Sequence, residues 1–237
     1  MEAIRRLVTA CLGVAAICIG AAVSAENWPR VKAAPGATLQ WVAQNMVHNG
    51  VPMQIQTFQA NTPPREVIAF YRQEWSARSG RPPVENTSGE WQIIGQRQGN
   101  YYITVQARTG NGAKSQGYIA VTQLSAAGKR ELLPSVAAFP SLGGTQIISQ
   151  SQADDDGKKS ITLVLRNGFS MESNSGFYRS TLSGEGWTLL QDFDPASQGM
   201  TGRVMYFERK GESCHISMTS ADDGYTVIAV NQVNTTR

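Results

Sequence analysis

The sequence predicts an α+β protein made of two tandem duplicated ββαβββ units, each packing one helix on a curved antiparallel sheet in a helix-grip-like arrangement. Three observations carry this prediction: landmarks repeat 107 positions apart, hairpin-turn dipeptides occupy matching places, and alternating strand patterns flank one amphipathic segment per repeat. The composition, 41% hydrophobic and 16% charged over 237 residues, supplies a core and excludes a charge-rich disordered chain.

The first 25 residues have the three parts of a secretory signal peptide. Arg5 and Arg6 form a basic start, an apolar stretch covers 7–23, and a Val-Ser-Ala sequence ending at Ala25 suits signal peptidase. We therefore expect cleavage after Ala25, a periplasmic or secreted location in a bacterium, and no stable membrane span in the mature chain. The alternative is an uncleaved anchor, for which the apolar stretch is at the short limit.

The repeat divides the rest of the chain. The matching landmarks are Phe70-Tyr71-Arg72 with Phe177-Tyr178-Arg179, Gly117-Tyr118 with Gly224-Tyr225, Thr38 with Thr145, and Asn49-Gly50 with Asp156-Gly157. We expect an extended tail over 26–36, a first unit over 37–124, a linker over 125–143 and a second unit over 144–237.

Each unit is predicted to contain a hairpin, a helix and a run of further strands. In the first unit the helix begins at Pro63, behind Asn61-Thr62, and ends in the Gly-Pro region 80–83. Strands are expected over 38–48, 53–58, 91–95, 101–107 and 118–124, and in the second unit over 145–151, 160–166, 187–192, 203–208, 214–219 and 225–233. The predicted core is Ile55, Val67, Tyr71, Trp75, Ile103, Val121, Leu163, Tyr178, Leu182, Ile216 and Val227.

Charge divides unevenly between the halves. Residues 26–131 carry 11 Lys or Arg against 6 Glu, a net charge of +5, whereas residues 132–237 carry 8 basic and 11 acidic side chains, a net charge of −3. The total of +3 is too small to indicate a nucleic-acid binder. The asymmetry leaves three interpretations open: attraction between the units through Arg72, an envelope protein or other anionic partner facing the basic unit, or divergence without a role.

The sequence contains no cofactor or metal motif. His48 and His215 lack the spacing of a metal site, and Asp154 to Gly157 is interpreted as a hairpin turn, not a calcium loop. Once the signal is removed only Cys214 remains, so no internal disulfide forms, and its alternating neighbours predict a buried strand position. No cofactor, no metal and no catalytic residue are therefore predicted.

Four residues are candidates for partner binding. Arg72 and Arg179 follow Phe-Tyr in both helices, where each either binds an anion or the other unit, or covers the sheet edge with its stem. Tyr101 and Tyr102 are consecutive on a strand, so one of them must point outward and offer an aromatic anchor.

The helix with Phe-Tyr-Arg, followed by Gly186-Trp187, resembles small helix-on-sheet modules of exported bacterial proteins. The tandem arrangement is similar to the helix-grip pair of an envelope lipoprotein that supports outer-membrane protein assembly, although this chain lacks a lipobox. The resemblance covers architecture only. We expect an exported non-catalytic binding or assembly module that presents two sheet-and-helix surfaces to a protein partner; the alternative is a hydrolase with dispersed acidic residues.

Overall fold

The structure is a computed structural model that describes residues 28–77, 82–110, 115–124, 133–155, 158–195 and 202–235. Within these residues the fold is α+β, with one large antiparallel sheet and two long helices. The strands are β1 Ala37–His48, β2 Val51–Ala60, β3 Val84–Ser88, β4 Trp91–Gln98, β5 Tyr101–Thr109, β6 Ser115–Gln123, β7 Gln146–Asp155, β8 Lys158–Asn167, β9 Thr188–Phe193, β10 Arg203–Arg209, β11 Glu212–Ser220 and β12 Thr226–Thr235. The helices are α1 Pro64–Ser76, the short α2 Pro134–Ala137 and α3 Met171–Gly184.

The twelve strands of the described residues form one sheet in the order β3-β4-β5-β6-β2-β1-β7-β8-β12-β11-β10-β9. The seam between the two halves of the chain is the pairing of β1 with β7. Counted outward from this seam, each half places its first, second, sixth, fifth, fourth and third strand in the same succession. All neighbouring strands are antiparallel.

Both long helices lie on the same face of the sheet. Directly paired residues point to the same face, and at the seam Val47 is paired with Pro52 on one side and Gln152 on the other. Every second residue of a strand points to the same face, so Pro52 and Phe58 of β2 share a face, and Phe58 packs under α1. Gln152 is paired with Ile161, which packs under α3, so this is also the face of the second helix. The opposite side, which we call the open face, carries neither long helix.

Each helix covers its own hydrophobic core. The first core holds Ala34, Phe58, Ala60, Val67, Ile68, Tyr71, Trp75, Ile94, Ile103, Val105, Ala107, Ile119 and Val121. The second holds Val136, Phe139, Ile161, Leu163, Leu165, Tyr178, Leu182, Trp187, Met205, Phe207, Cys214, Ile216, Met218, Ile228 and Val230. Nine of the eleven predicted core residues are buried.

The prediction was wrong for Ile55 and Val227, which are only half-buried. On β2 the positions that face α1 are those of Phe58 and Ala60, so Ile55 points to the open face. On β12 it is Ile228 that pairs with buried neighbours in β8 and β11, and Val227 therefore faces the other way.

The strand count also differs from the prediction. Each half has four strands after its helix. The sequence predicts all four in the second half but only three in the first, because it does not indicate the edge strand β3. Every residue of β3 is exposed, so the strand lacks the alternation by which a half-buried strand is recognised. Among the described strands it pairs with β4 and with no other.

The segments that precede β1 and β7 pack against the cores. In the expected tail, Ala34 is buried, and the Tyr71 hydroxyl donates a hydrogen bond to the Lys32 carbonyl over 3.0 Å. In the expected linker, α2 brings Val136 and Phe139 into the second core, where the Phe139 and Tyr178 rings are 5.9 Å apart. Residues 125–132 of that linker, the proposed Gly-Pro helix end at 80–81 and the Asp156-Gly157 turn lie outside the described residues.

Asn49 fastens the seam from the turn that joins β1 and β2. Its backbone N–H donates to the Gln150 carbonyl over 2.9 Å, and its side-chain Oδ1 accepts from the Gln150 N–H over 3.0 Å. Its φ is +49°, a left-handed conformation that asparagine tolerates better than most residues. One residue thus combines a turn conformation with two bonds across the seam.

Replacing Asn49 with alanine is expected to lower the free energy of unfolding by about 2 kcal/mol, because the change leaves the Gln150 N–H without its acceptor and strains the backbone. Urea denaturation at pH 7 measures the loss. Asn49→Gly is the matched control, since it removes the acceptor without the strain and should lose less. Unfolding of the alanine variant at the parent's urea midpoint would contradict this account of the seam.

Candidate functional site

The two candidate arginines occupy matching places in ion pairs. The Arg72 Nε and Nη2 atoms of α1 bind the Glu85 carboxylate of β3 at 2.5 and 2.7 Å. The Arg179 Nη2 atom of α3 lies 2.5 Å from Asp192 Oδ2 of β9. Each pair therefore ties a helix to the edge strand of its own half.

This placement corrects the expectation that Arg72 docks one unit on the other. Its partner Glu85 lies in the same half, on an edge strand at the far end of the sheet from the seam. The halves meet instead through main-chain pairing of β1 with β7, from Met46–Ala153 to His48–Ser151. Main-chain pairing needs no charge difference between the halves.

Asp192 is the most enclosed carboxylate of these pairs. It accepts from Arg203 Nε at 2.6 Å as well as from Arg179, and its side chain is 13% exposed. The hydrogen bond from Arg203 has the largest effect on the pKa of Asp192 and lowers it. Burial acts in the opposite direction, and the hydrogen bond from Arg179 adds to the lowering, so the pKa stays below its usual value. In the first half the Arg72 hydrogen bond likewise lowers the pKa of Glu85, which is more exposed.

Asp192→Asn should lower the free energy of unfolding at pH 7 by about 2 kcal/mol, because the ionised carboxylate binds two guanidinium groups. A lowered folded-state pKa stabilises the fold above the unfolded-state pKa of about 4, and this stabilisation is lost as the pH falls through the folded-state value. Urea denaturation at pH 7 and at pH 2.5 should show a difference between parent and variant that shrinks in acid. Glu85→Gln is the matched control, with a smaller effect at pH 7. A difference between Asp192→Asn and the parent that does not change with pH would contradict the assignment.

The two candidate tyrosines point to opposite faces. Tyr101 lies on the helix-bearing face, where its ring centroid is 5.2 Å from that of Trp28. Tyr102 lies on the open face and covers Gly95 of β4, since a Cβ atom at Gly95 would fall 2.5 Å from the Tyr102 hydroxyl oxygen. Each tyrosine therefore has a packing contact within the first half.

Aromatic and arginine side chains form clusters on the open face. In the first half Trp91 and Tyr118 are 5.6 Å apart, and the Arg108 guanidinium lies 4.8 Å from the Trp91 ring. Near the opposite edge the Phe193 and Tyr206 rings are stacked. His215, 4.4 Å from Tyr206, completes this second cluster. The Arg166 guanidinium lies 4.1 Å from the Tyr225 ring and forms a separate contact on the same face.

The second half has a cavity of about 370 Å³ on the helix-bearing face. Its apolar wall includes Ile161, Leu182 and Trp187, and its polar wall is a closed set of contacts. Arg209 lies 4.5 Å from the Trp187 ring and binds Glu212 Oε2 at 2.5 and 2.7 Å, while Asn234 donates to Glu212 Oε1 over 2.8 Å. Both carboxylate oxygens of Glu212 thus have strong donors.

The first half has a pocket of about 380 Å³ on the same face, which we call the tryptophan pocket. Trp28 and Trp41 line it, and Gln54 and Gln56 of β2 contribute their side chains between the apolar neighbours in β1 and β6. Trp41 is 44% exposed, and Arg30 also lines the pocket. None of these five residues was predicted from the sequence to belong to a site.

Ser151, His48 and Asn49 form a row at the seam that resembles a nucleophile with its base. His48 Nδ1 is 2.7 Å from Ser151 Oγ, and Asn49 Nδ2 is 3.1 Å from His48 Nε2. Because Asn49 Oδ1 accepts from Gln150, its Nδ2 must donate to Nε2, so the proton of neutral His48 is on Nδ1 and points to Ser151. His48 therefore cannot accept the Ser151 proton in this arrangement, and the row works as a structural contact.

Cys214 is buried in the second core, as the sequence predicted. Burial raises the pKa of its thiol to about 12. The thiol form that this favours is a poor nucleophile. Cys214 is thus a packing residue under α3.

Two features are absent from the described residues, a helix that could span a membrane and a cluster of metal-ligating side chains. None of their helices has the length and apolar character needed to cross a membrane. No group of three or more His, Cys, Asp or Glu side chains among them could hold a metal ion. Comparison of the chain with protein-family models, with curated proteins and with solved structures gives no match.

Proposed function

We propose that this chain is an exported, non-catalytic binding module of the bacterial envelope, built by tandem duplication, whose open face receives a protein partner. The observation that carries the proposal is the set of aromatic and arginine contacts on a sheet face that neither long helix covers. Tyr118 is 43% exposed and Phe193 42% exposed at the two clusters. Aromatic and arginine side chains are the residues most enriched at protein interfaces and their hot spots.

Matching elements support the duplication. The hairpin strands β2 and β8 are both ten residues long and begin 107 positions apart. The helices α1 and α3 also begin 107 positions apart. The ion pairs Arg72–Glu85 and Arg179–Asp192 have the same spacing, and both halves have the same succession of strands from the seam. In each half one helix is held against an antiparallel sheet, as in a helix-grip arrangement.

In the last strand of each half, the spacing between corresponding residues is four positions larger than 107. Phe58 is paired with Gly117, and the matching Leu165 is paired with Ile228, so Gly117 corresponds to Ile228 and not to Gly224. Gly224 lies in the turn before β12. Duplication with a small insertion explains both spacings.

The chemistry of the described carboxylates favours binding over hydrolysis. Both carboxylate oxygens of Glu212, in the cavity of the second half, accept hydrogen bonds, and the carboxylates of Asp192 and Glu85 are bound by arginines. General acid–base work needs a carboxyl group that exchanges its proton near neutral pH. Strong pairing with guanidinium groups favours the permanently ionised form instead.

A photo-crosslinking amino acid placed at Tyr118 or Tyr206 tests the proposal in envelope extracts. Both open-face positions should give an adduct with the same protein. Ala69 and Ser180, exposed on α1 and α3, are the matched control positions and should give none. The captured protein, once purified, should bind the parent at least about tenfold more tightly than the Trp91→Ala variant in calorimetry.

Three results would overturn this proposal. Adducts of equal yield from the helix positions would show unspecific capture. A single adduct of twice the chain mass would show a second copy as the occupant. Equal affinity of the parent and Trp91→Ala would remove the open face from the interaction.

A further inference from the structure

We infer that the tryptophan pocket binds a carbohydrate that carries a carboxylate group. The pocket lies on the helix-bearing face and not on the open face, so the inference is independent of the proposed protein partner. A volume of about 380 Å³ is within the range of small-ligand sites.

The floor of the pocket offers two amides that have no structural task. Gln54 and Gln56 lie on β2 at positions that face the same way as buried Phe58. Neither side chain hydrogen-bonds within the described part of the chain, and neither is fully buried. Their donors and acceptors are therefore available to a ligand.

The second half shows what these positions hold when they only build a core. The matching residues 107 positions later are Ile161 and Leu163, both buried under α3. The first half has two glutamines at the places where the second half has aliphatic side chains. It therefore lacks the burial of two aliphatic side chains, each of which contributes about 1.5–3 kcal/mol to the free energy of unfolding. A ligand that hydrogen-bonds to the amides explains this exchange.

The walls supply aromatic surface. Trp41 is paired with Gln56 across the β1–β2 ladder, so its indole stands beside that amide on the same face. Trp28 approaches from the segment before β1, and Tyr101 supports it from the side at 5.2 Å. The electron-rich faces of indole rings attract the slightly positive C–H groups that one side of a pyranose presents.

The floor excludes two other classes of occupant. A purely apolar ligand would bury both amides without partners, which costs about 1–3 kcal/mol for each group. A peptide that adds to the sheet needs a regular free edge, but the stretch of β1 that β7 leaves unpaired is interrupted by register shifts between Trp41 and Ala43 and between Ala43 and Met46. Hydroxyl groups around an apolar ring satisfy both the amides and the indoles.

Arg30 is the residue that indicates a negatively charged sugar. It lines the pocket, it is exposed, and it has no ion pair or hydrogen bond with any side chain that the structure describes. A guanidinium binds a carboxylate with two parallel hydrogen bonds. A uronic acid combines such a carboxylate with a pyranose ring and therefore uses the amides, the indoles and the guanidinium together.

Calorimetric titration with an oligogalacturonate and with neutral maltohexaose tests the inference on the full chain. We expect saturable binding of the oligogalacturonate and at least about tenfold weaker binding of maltohexaose. Trp41→Ala and Gln56→Leu should each weaken oligogalacturonate binding at least about tenfold. Trp91→Ala, an aromatic replacement on the open face, should leave the affinity unchanged, and thermal unfolding confirms that each variant is folded.

Arg30→Gln separates the charge from the ring contacts. It should reduce the preference for the acidic oligosaccharide while leaving the weak binding of maltohexaose as it was. The inference is overturned if neither sugar binds at millimolar concentration, or if folded Trp41→Ala and Gln56→Leu bind like the parent. Equal affinity for the acidic and the neutral sugar would overturn the role of Arg30 and with it the acidic ligand.

Discussion

Replacement of Gly117 by alanine is expected to lower the free energy of unfolding by about 3 kcal/mol or more. A Cβ atom at this position would fall 1.9 Å from the Gln106 carbonyl oxygen and 2.6 Å from Cε1 of Phe58. The first obstacle is backbone of the adjacent strand β5, which moves only if the ladder between β5 and β6 is distorted. Urea denaturation followed by circular dichroism measures the loss.

Gly176→Ala is the matched control for this substitution. Gly176 lies inside α3, and a Cβ atom there meets nothing within 4 Å. Because alanine has the higher helix propensity, the control should raise the free energy of unfolding by up to about 1 kcal/mol. A Gly117→Ala variant as stable as the parent would show that β5 and β6 do not approach as closely as described.

Replacement of Asn174 by valine is expected to lower the free energy of unfolding by about 2 kcal/mol, although valine stands 107 positions earlier, at buried Val67. Asn174 and Asn167 are buried and hydrogen-bond reciprocally, with Nδ2–Oδ1 distances of 2.8 and 3.0 Å. Asn174 also donates to the Ser170 carbonyl over 2.9 Å. Valine offers no partner to the amide of Asn167, which then loses both bonds to Asn174 and keeps only those to the Thr145 hydroxyl and the Phe169 N–H.

The first half shows how the loss can be recovered. Ala60 and Val67, which lie 107 positions before Asn167 and Asn174, are both buried. An apolar pair therefore occupies in the first half the places that the two amides occupy in the second. The double variant Asn167→Ala with Asn174→Val should therefore be more stable than the sum of the single changes predicts, by at least about 1 kcal/mol. Strict additivity in this double-mutant cycle would mean that the two amides do not act as a unit.

The sequence predicts well those elements whose buried side chains repeat with a clear period. Tyr71 and Trp75 have helical spacing and are buried under α1, and the alternation around Cys214 correctly predicts its inward position. The Asn49-Gly50 turn follows from the preference of this dipeptide for positive φ, observed at +49° and +80°. These are local rules, and local sequence is sufficient to apply them.

The prediction fails where the site and the core place opposite demands on one strand. On β2 the apolar run of Met53 and Ile55 indicates the core face, yet those residues face outward and the amides of Gln54 and Gln56 face the pocket. A hydrophobicity pattern reports burial only when the buried face is the apolar one. The missed edge strand β3 has the related cause that neither of its faces is buried.

The partners of Arg72 and Arg179 were also beyond the sequence. Each arginine was recognised from its recurrence, but the acid that it binds lies thirteen positions later, on a strand that pairs at the sheet edge. Only the fold brings helix and edge strand together. A search for acids at the same 107-residue spacing would have found Glu85 and Asp192 as a second recurring pair.

The irregular course of β1 limits how readily copies of this protein aggregate. The ladder between β1 and β7 has three residue pairs, so the part of β1 that precedes Met46 has no pairing with β7. An extended, flat and unpaired edge invites strands from other molecules. Here the register between β1 and β2 shifts twice, between Trp41 and Ala43 and again between Ala43 and Met46, and such bulges bend and twist the strand. We therefore expect the exposed stretch to be a poor template for an incoming strand.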